Sequence, residues 1–498
     1  MKNTQKYALL ALLFIVLVVF VTYSGTPILV LYKSSEGDTA TQNLFAYYVK
    51  NFARLKGYNV RYHDIDSSFP SDETMRNMRA IITVFNEPVM ANAEAYIHWL
   101  SQQILQKRKV IVIGNFGAFS PDGERWYDRS VLNPVFNLLG FDFLENWTDD
   151  PALIEPEFQD PEMIGFQAPL TPDRLTHYFT LKPLHSNTQV FLSLKRRDLP
   201  ESTSAMIAKT PVGGVAMYYT FTQNRERPQQ LLNLKKFIDI CLHDPIPVGA
   251  VPEKRVLALY KASEDTTREQ SFIARFLSTD LISLGYWPEY HAIDQQGIPV
   301  ARDMSRYQGI ITWFRTPYLD DAEVYIDWLL AQIQAGRKVV ILGNFGAFGT
   351  VYKETGTETT WLLSHSELNR FFYPFGLEFM ANWIGDSELL EVREKIPEMV
   401  EHETTLEPED LRHYFYWKSV YPENAVYLKV GRKDLPAAES AFIVRTPFGG
   451  FAFEGYLYKS DPDTPEIRFL LNRRQFLQDC LEYRSEQGIV NLVNRIVK

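Results

Sequence analysis

The chain predicts an α/β protein: two tandem copies of an open, mostly parallel sheet flanked by helices, each finished by an antiparallel β portion, behind an N-terminal transmembrane helix. Three observations predict it. A set of residues returns at an offset of 228 (Tyr32 to Tyr260), apolar β-rich runs alternate with helical periodicity in each copy, and an uncharged stretch from Tyr7 to Tyr23 precedes both. With 498 residues, 46% of them hydrophobic and 22% charged, the chain is long enough for two cores and too apolar for a disordered scaffold.

Lys2 and Lys6 precede the uncharged stretch, whose roughly 17 residues approach the about 20 that cross a bilayer. No polar face interrupts it, which sets aside a buried core helix. A cleaved leader would end in small residues, whereas the exit here, Thr22-Tyr23-Ser24-Gly25, carries a bulky tyrosine. Residues 1–25 therefore read as an uncleaved signal-anchor, with the membrane as partner through residues 7–23. Positive charge ahead of the span keeps the N-terminus cytoplasmic and puts the chain from about residue 26 outside the cytoplasm, in the periplasm of a single-pass inner- or plasma-membrane protein.

The repeat sets the domains. Leu31-Tyr32-Lys33-Ser34-Ser35-Glu36 returns as Leu259-Tyr260-Lys261-Ala262-Ser263-Glu264, and the same register carries Gly57-Tyr58 onto Gly285-Tyr286, His63 onto His291 and Asp66 onto Asp294. One inserted residue later, Gly114-Asn115-Phe116-Gly117-Ala118-Phe119 recurs as Gly343-Asn344-Phe345-Gly346-Ala347-Phe348. After a longer insertion near 350 to 360, Asn146-Trp147 meets Asn382-Trp383 and His177-Tyr178-Phe179 meets His413-Tyr414-Phe415. Thr210-Pro211 with Gly213-Gly214 then meets Thr446-Pro447 with Gly449-Gly450, and Cys241 meets Cys480. Copy 1 occupies residues 27–245, a Pro-rich linker 246–253, copy 2 residues 254–485, and an amphipathic tail 486–498.

Within each copy the first strand (Pro27–Tyr32, Arg255–Tyr260) leads into a helical pattern closed by Gly57 or Gly285. Strands at Ala80–Phe85 and Lys109–Ile113 flank a helix from about Ala91 to Lys107; Gly309–Phe314 and Lys338–Leu342 flank one from Asp321 to Ala335. Such alternation predicts a parallel sheet with helices on both faces. Val190–Leu194, Ala205–Lys209 and Gly214–Phe221 then read as an antiparallel portion, before a last helix near Leu231–Leu242. Cys241 and Cys480 fall in these last helices at matching places, so they read as buried free thiols; no adjoining base supports a reactive one. Two cysteines exclude a disulfide framework and a cysteine-based zinc cluster.

Ligands of open parallel sheets bind beyond the carboxyl ends of the strands. That rule selects Lys33, Ser35 and Glu36 after the first strand, His63 and Asp66 after the second, and Asn115 and Phe116 after the fourth. Their counterparts are Lys261, Ser263, Glu264, His291, Asp294, Asn344 and Phe345. Carboxylates, amides, hydroxyls and aromatic faces in one place suit sugar hydroxyls, which take directional hydrogen bonds and apolar stacking. On this reading Glu36→Gln and Glu264→Gln weaken ligand binding without unfolding the protein. The plain alternative is that Glu36 pairs with Lys33 or caps a helix while Asn115 ties its loop down.

The Gly-Asn-Phe-Gly-Ala-Phe loop after a buried strand resembles the class I glutamine amidotransferase-like (flavodoxin-like) superfamily over roughly the first 120 residues of each copy. That family carries a Gly-x-Cys-x-Gly turn there and a His-x-Glu pair near its final strands. Here the cysteine position holds Phe116 or Phe345, and the His-x-Glu pair is missing, so the resemblance implies the fold without amidotransferase chemistry. Non-catalytic domains of Pel-type exopolysaccharide systems look similar, which implies a binding or scaffold protein of envelope polysaccharide assembly or export.

Other classes are weighed on the same residues. The Leu31–Thr41 stretch resembles a phosphate-cradling strand-to-helix loop, but its glutamate repels phosphate and copy 2 lacks the glycine, so no flavin or other cofactor is expected. A carboxylate pair such as Glu36 with Asp66 would serve a glycan hydrolase if both faced one crevice. The histidines have no metal-ligand spacing, and His177 and His413 read as packed residues. Against 51 basic residues stand 61 acidic ones, a formal charge of −10, which argues against nucleic acid as a partner. Aromatics at 14%, nine of them Trp, can line a carbohydrate groove, although most belong to the core. Ile489, Leu492, Val493, Ile496 and Val497 share one helical face in the tail, which docks on its own domain, on an envelope protein partner or on the membrane surface.

Overall fold

The structure, a computed structural model, describes residues 25–117, 127–144, 150–158, 160–164, 180–199, 202–217, 232–264, 267–354, 357–384, 389–400, 413–452, 458–460, 467–469 and 471–484. The chain divides into two compact units, Met1–Val251 and Pro252–Lys498. Among the described residues no helix is long and apolar enough to cross a membrane. The stretch 7–23, the tail 486–498, Asn146-Trp147 and His177 lie outside the described residues.

The first unit contains β1 (Thr26–Tyr32), β2 (Tyr58–Asp64), β3 (Ala80–Phe85), β4 (Lys109–Gly114), β5 (Phe141–Leu144), β6 (Ile154–Phe158), β7 (Thr180–Pro183), β8 (Gln189–Arg196), β9 (Thr203–Thr210) and β10 (Gly213–Met217). Eight of them form one sheet in the order β2-β1-β3-β4-β10-β9-β8-β6, while β5 and β7 pair separately. Neighbours from β2 to β10 run parallel. Those from β10 to β6 run antiparallel. The expected mostly parallel sheet is thus corrected to a mixed one: β10 joins β4 on one side and β9 on the other, so the antiparallel portion extends the main sheet. β3 and β4 are buried along their whole length because both faces are covered, which is why they read as unbroken apolar runs. The helix Ala93–Leu105 seals one face with Tyr96, Ile97, Leu100 and Ile104.

The second unit repeats the plan. Its strands are β11 (Lys254–Tyr260), β12 (Tyr286–Ala292), β13 (Gly309–Phe314), β14 (Tyr318–Leu319), β15 (Lys338–Gly343), β16 (Gly349–Glu354), β17 (Thr357–Leu362), β18 (Leu377–Ile384), β19 (Leu390–Lys395), β20 (His413–Ser419), β21 (Ala425–Arg432), β22 (Leu435–Thr446), β23 (Gly449–Ala452) and the separate pair β24 (Tyr458–Ser460) and β25 (Ile467–Phe469). The eight-stranded sheet runs β12-β11-β13-β15-β23-β22-β21-β19. The insertion after residue 348 forms the β16–β17 hairpin, which β14 joins as a third strand. Asn382-Trp383 and His413-Tyr414-Phe415 face each other across the β18–β20 pair.

The helical pattern before Gly57 is two short helices, Leu44–Tyr48 and Lys50–Leu55, broken at Val49; Leu277 breaks the second copy in the same way. The repeated double glycine has a steric cause. A Cβ on Gly213 or Gly449 would lie 1.9 or 1.8 Å from the carbonyl oxygen of Val110 or Val339. One on Gly214 or Gly450 would press within 2.7 or 2.4 Å of the Cys241 or Cys480 sulfur. Both cysteines are buried and free, and burial pushes the Cys241 thiol up to about 12.

Candidate functional site

In both sheets the strand order reverses beside the first strand: β2 lies on one side of β1 and β3 on the other, as do β12 and β13 around β11. The loops leaving β1 and β3 therefore diverge there, which is where doubly wound sheets open a crevice. Here the chain closes that crevice with its own side chains. Lys33, 1% exposed, donates from Nζ to the carbonyls of Glu87 (2.7 Å) and Val89 (2.6 Å). Glu36 lies 3.1 Å from the same ammonium and accepts the amides of Asn86 (2.7 Å) and Glu87 (2.9 Å). One lysine and one glutamate thus satisfy four backbone groups of the loop after β3. The Lys33 ammonium also sits 5.0 Å from the centre of the Phe85 ring.

Copy 2 builds the same clasp. Lys261 donates to the Thr316 carbonyl (3.1 Å), the Thr316 hydroxyl (2.7 Å) and the Tyr318 carbonyl. Glu264 accepts the amides of Arg315 (2.7 Å) and Thr316 (2.8 Å) and lies 3.6 Å from Lys261. Burial pushes the Lys261 ammonium down to about 8, with Glu264 and Asp294 acting the other way.

The remaining sequence-selected residues frame this clasp. Asp66 accepts the Ser35 amide at 2.8 Å, and Asp294 accepts those of Ala262 and Ser263 at 2.8 and 2.7 Å. Burial works against the Asp294 carboxylate, but the bonds from Ser263 and Ala262 prevail and hold it below the usual range. His63 and His291 each hydrogen-bond a carbonyl through Nε2, Ser68 and Gly297 respectively, both at 2.7 Å. Burial lowers the His291 pKa, the Gly297 bond acting the other way and Arg302 with the burial. Asn115 and Asn344 donate to the Asn86 and Arg315 carbonyls at 2.6 Å, tying the loop after the fourth strand to the clasped one. Phe116 and Phe345 point into the cores, 1% and 2% exposed. Phe116 packs between Tyr96 and Phe136, and Phe345 among Tyr325, Phe371 and Phe372. Ser35, Asp66, Ser263 and Asp294 stay exposed on the rim. Lys33, Glu36, Lys261, Glu264, Asn115, Asn344 and the two phenylalanines are turned to internal partners.

Sequence reasoning passed over the receiving loop, Asn86-Glu87-Pro88 and Arg315-Thr316-Pro317. Its signal was present: Phe85 and Pro88 recur as Phe314 and Pro317 at matched positions. It also missed a feature of copy 2 alone. Glu289 on β12 is bound by Arg255, Arg306 (2.7 Å) and Tyr307, with Arg302 at 3.8 Å, whereas copy 1 has Arg61 at that position. Among the described residues no group of three or more His, Cys, Asp and Glu is placed to hold a metal.

No protein-family model matches the chain, and no curated protein does. Among solved structures, a protein described as ThuA-like from Bacteroides uniformis aligns at 14% identity and a TM-score of 0.23, over 40% of this chain and 86% of its own. One so described from Parabacteroides merdae aligns at 11% and 0.24, over 48% and 91%. A β-galactosidase from Bacillus circulans sp. alkalophilus aligns at 9% and 0.28, over 82% and 54%. Likeness of this extent assigns no activity.

Proposed function

We propose that this is a membrane-anchored, extracytoplasmic, non-catalytic binding or scaffold protein of cell-envelope or exopolysaccharide assembly. The observation that carries the reading is the clasp. In both copies the crevice where such a sheet would run chemistry is filled, its carboxylate and ammonium are spent on backbone groups, and the nucleophile position holds a buried phenylalanine. A general acid or base must reach a substrate proton, and Glu36 and Glu264, 3% and 5% exposed, face the protein instead. The ligand surface is then the exposed rim around Ser35, Asp66, Ser263 and Asp294, presented by clasped loops. The membrane anchor is the stretch 7–23, and an envelope partner docks on the tail.

The test is binding of the purified full chain to acidic, cationic and neutral exopolysaccharides, with product analysis on the same samples. Retention of a polysaccharide without new reducing ends is the expected result. Cleavage would replace this reading with the carboxylate-dependent hydrolase.

A further inference from the structure

The end of the first unit opposite the clasp has a composition that the proposed function leaves unused. The β1 residue Thr26 follows the apolar stretch after two residues, Ser24 and Gly25, and donates its amide to Gly57 at 2.9 Å. Gly25 lies so close to Gly57 that a Cβ would meet its carbonyl oxygen at 2.4 Å. Arg79 donates its amide to Pro27 (2.9 Å), and Lys109 donates to Arg79 (3.1 Å). The chain thus gathers the segments entering β1, β2, β3 and β4 along one edge, and the start of β1 lies within about 7–11 Å of chain from the end of the stretch, at about 3.3–3.6 Å per residue.

That edge is basic. Arg54, Lys56, Arg76, Arg79 and Lys107 are exposed on it beside Leu55, which is 88% exposed. The carboxylates near it are Asp239, paired with Lys56 at 2.8 Å, Asp72 and Glu73 in the short helix before Arg76, and Asp244, paired with Lys209 at 2.6 Å and close enough to Lys109 to act on its charge. The second copy supplies a control in the same chain. Its amides make the corresponding bonds, Lys254 to Gly285, Gln308 to Arg255 and Lys338 to Gln308, so its positions can be matched one by one. Opposite Arg54, Leu55, Lys56, Arg76, Arg79 and Lys107 stand Ile282, Ser283, Leu284, Ser305, Gln308 and Gly336. The cations it does carry nearby, Lys254, Arg255 and Arg306, are paired with Glu482 and Glu289. Among the described residues, only the copy joined to the apolar stretch has this basic edge, in a chain of net charge −10.

We infer that the amino-terminal edge of the first sheet rests on an anionic bilayer surface, with Leu55 entering the headgroup layer and Arg54, Arg76 and Arg79 over lipid phosphates. The inference rests on the membrane-anchor part of the reading above. Its consequence is orientation: the clasp, at the other end of the seven-residue β1 and roughly 23 Å away, points off the membrane.

The experiment uses the full chain in lipid nanodiscs. Cys241 and Cys480 are fully buried, so a fluorophore goes to an introduced Leu55→Cys or, at the opposite edge, Glu87→Cys. In phosphatidylglycerol-containing discs, nitroxide-headgroup lipid should quench the position-55 label roughly threefold more than the position-87 label. The excess should vanish in phosphatidylcholine discs and in an Arg54→Glu/Arg76→Glu/Arg79→Glu background. Equal quenching at the two positions, or quenching that survives charge reversal, overturns the docked edge while leaving the anchor standing. Release of the full chain from membranes by alkaline carbonate overturns the anchor and the docked edge together.

Discussion

Glu36 and Glu264 each bring one carboxylate to two backbone amides and a buried ammonium, and that geometry changes what their substitution does. A glutamine offers one acceptor oxygen where two are used and leaves the lysine charge uncompensated. Glu36→Gln and Glu264→Gln are therefore expected to destabilise their units by about 2–4 kcal/mol, measured by urea denaturation. A binding-site role predicts unchanged stability instead. The lysine of the second clasp gives a pH signature. Its pKa in the folded chain is about 8 against an ordinary 10.5, so its contribution to stability is fully present above about 10.5 and is lost as pH falls through about 8. The stability of the native chain relative to Lys261→Met should thus rise between about pH 8 and about pH 10.5; taking the difference cancels the tyrosines and cysteines that titrate alkaline. A flat difference would mean that Lys261 keeps its ordinary pKa. The repeated Gly-Cys contact is equally specific. Gly214→Ala and Gly450→Ala should each destabilise by about 1–3 kcal/mol. Cys480→Ala should relieve only part of the second, because the Val444 carbonyl also stands 2.8 Å from the added carbon.

Among the elements, protection should follow the sheet order. In the first unit β1, β3, β4, β10, β9 and β8 have strands on both sides, while β2 and β6 close the edges and β2 alternates in exposure. Hydrogen exchange is expected to be slowest in that central group and at least about tenfold faster in β2 and β6, and uniform exchange would contradict the pairing. The same division explains what could be read from sequence. β3, β4, β13 and β15 were legible because burial on both faces leaves only apolar residues, AIITVF and KVIVIG among them. β6, IEPEF, and β19, LEVREK, were not, since an edge strand tolerates charge and so loses its apolar signature. The break at Val49 was hidden because apolar residues continue across it without a proline or glycine. At the candidate site, the strand pattern placed these residues beyond the carboxyl ends of the strands, where they lie, but did not give their direction. A lysine and a glutamate three apart after a strand look alike whether they face solvent or fold back. Only the matched Phe85/Pro88 and Phe314/Pro317 hinted that a second loop arrives to receive them.

Over the whole molecule, each copy keeps a complete sheet, its own clasp and its own buried aromatic cluster, so duplication has preserved the positions that hold a unit together. The copies differ at their margins: the β16–β17 hairpin with the exposed Trp361, the arginines around Glu289, and the basic edge next to the apolar stretch. Division of labour between the copies should therefore be sought at those margins. The packing of Cys241 on Gly214 and of Cys480 on Gly450 has one more consequence. Each unit holds a single thiol, sealed between its last helix and the strand that joins the parallel and antiparallel halves. Pulse-alkylation of the native chain followed by peptide mass spectrometry would then time the opening of each half separately. The two cysteines are stopwatches already installed, one in each copy, reading fluctuations of their own unit without any added label.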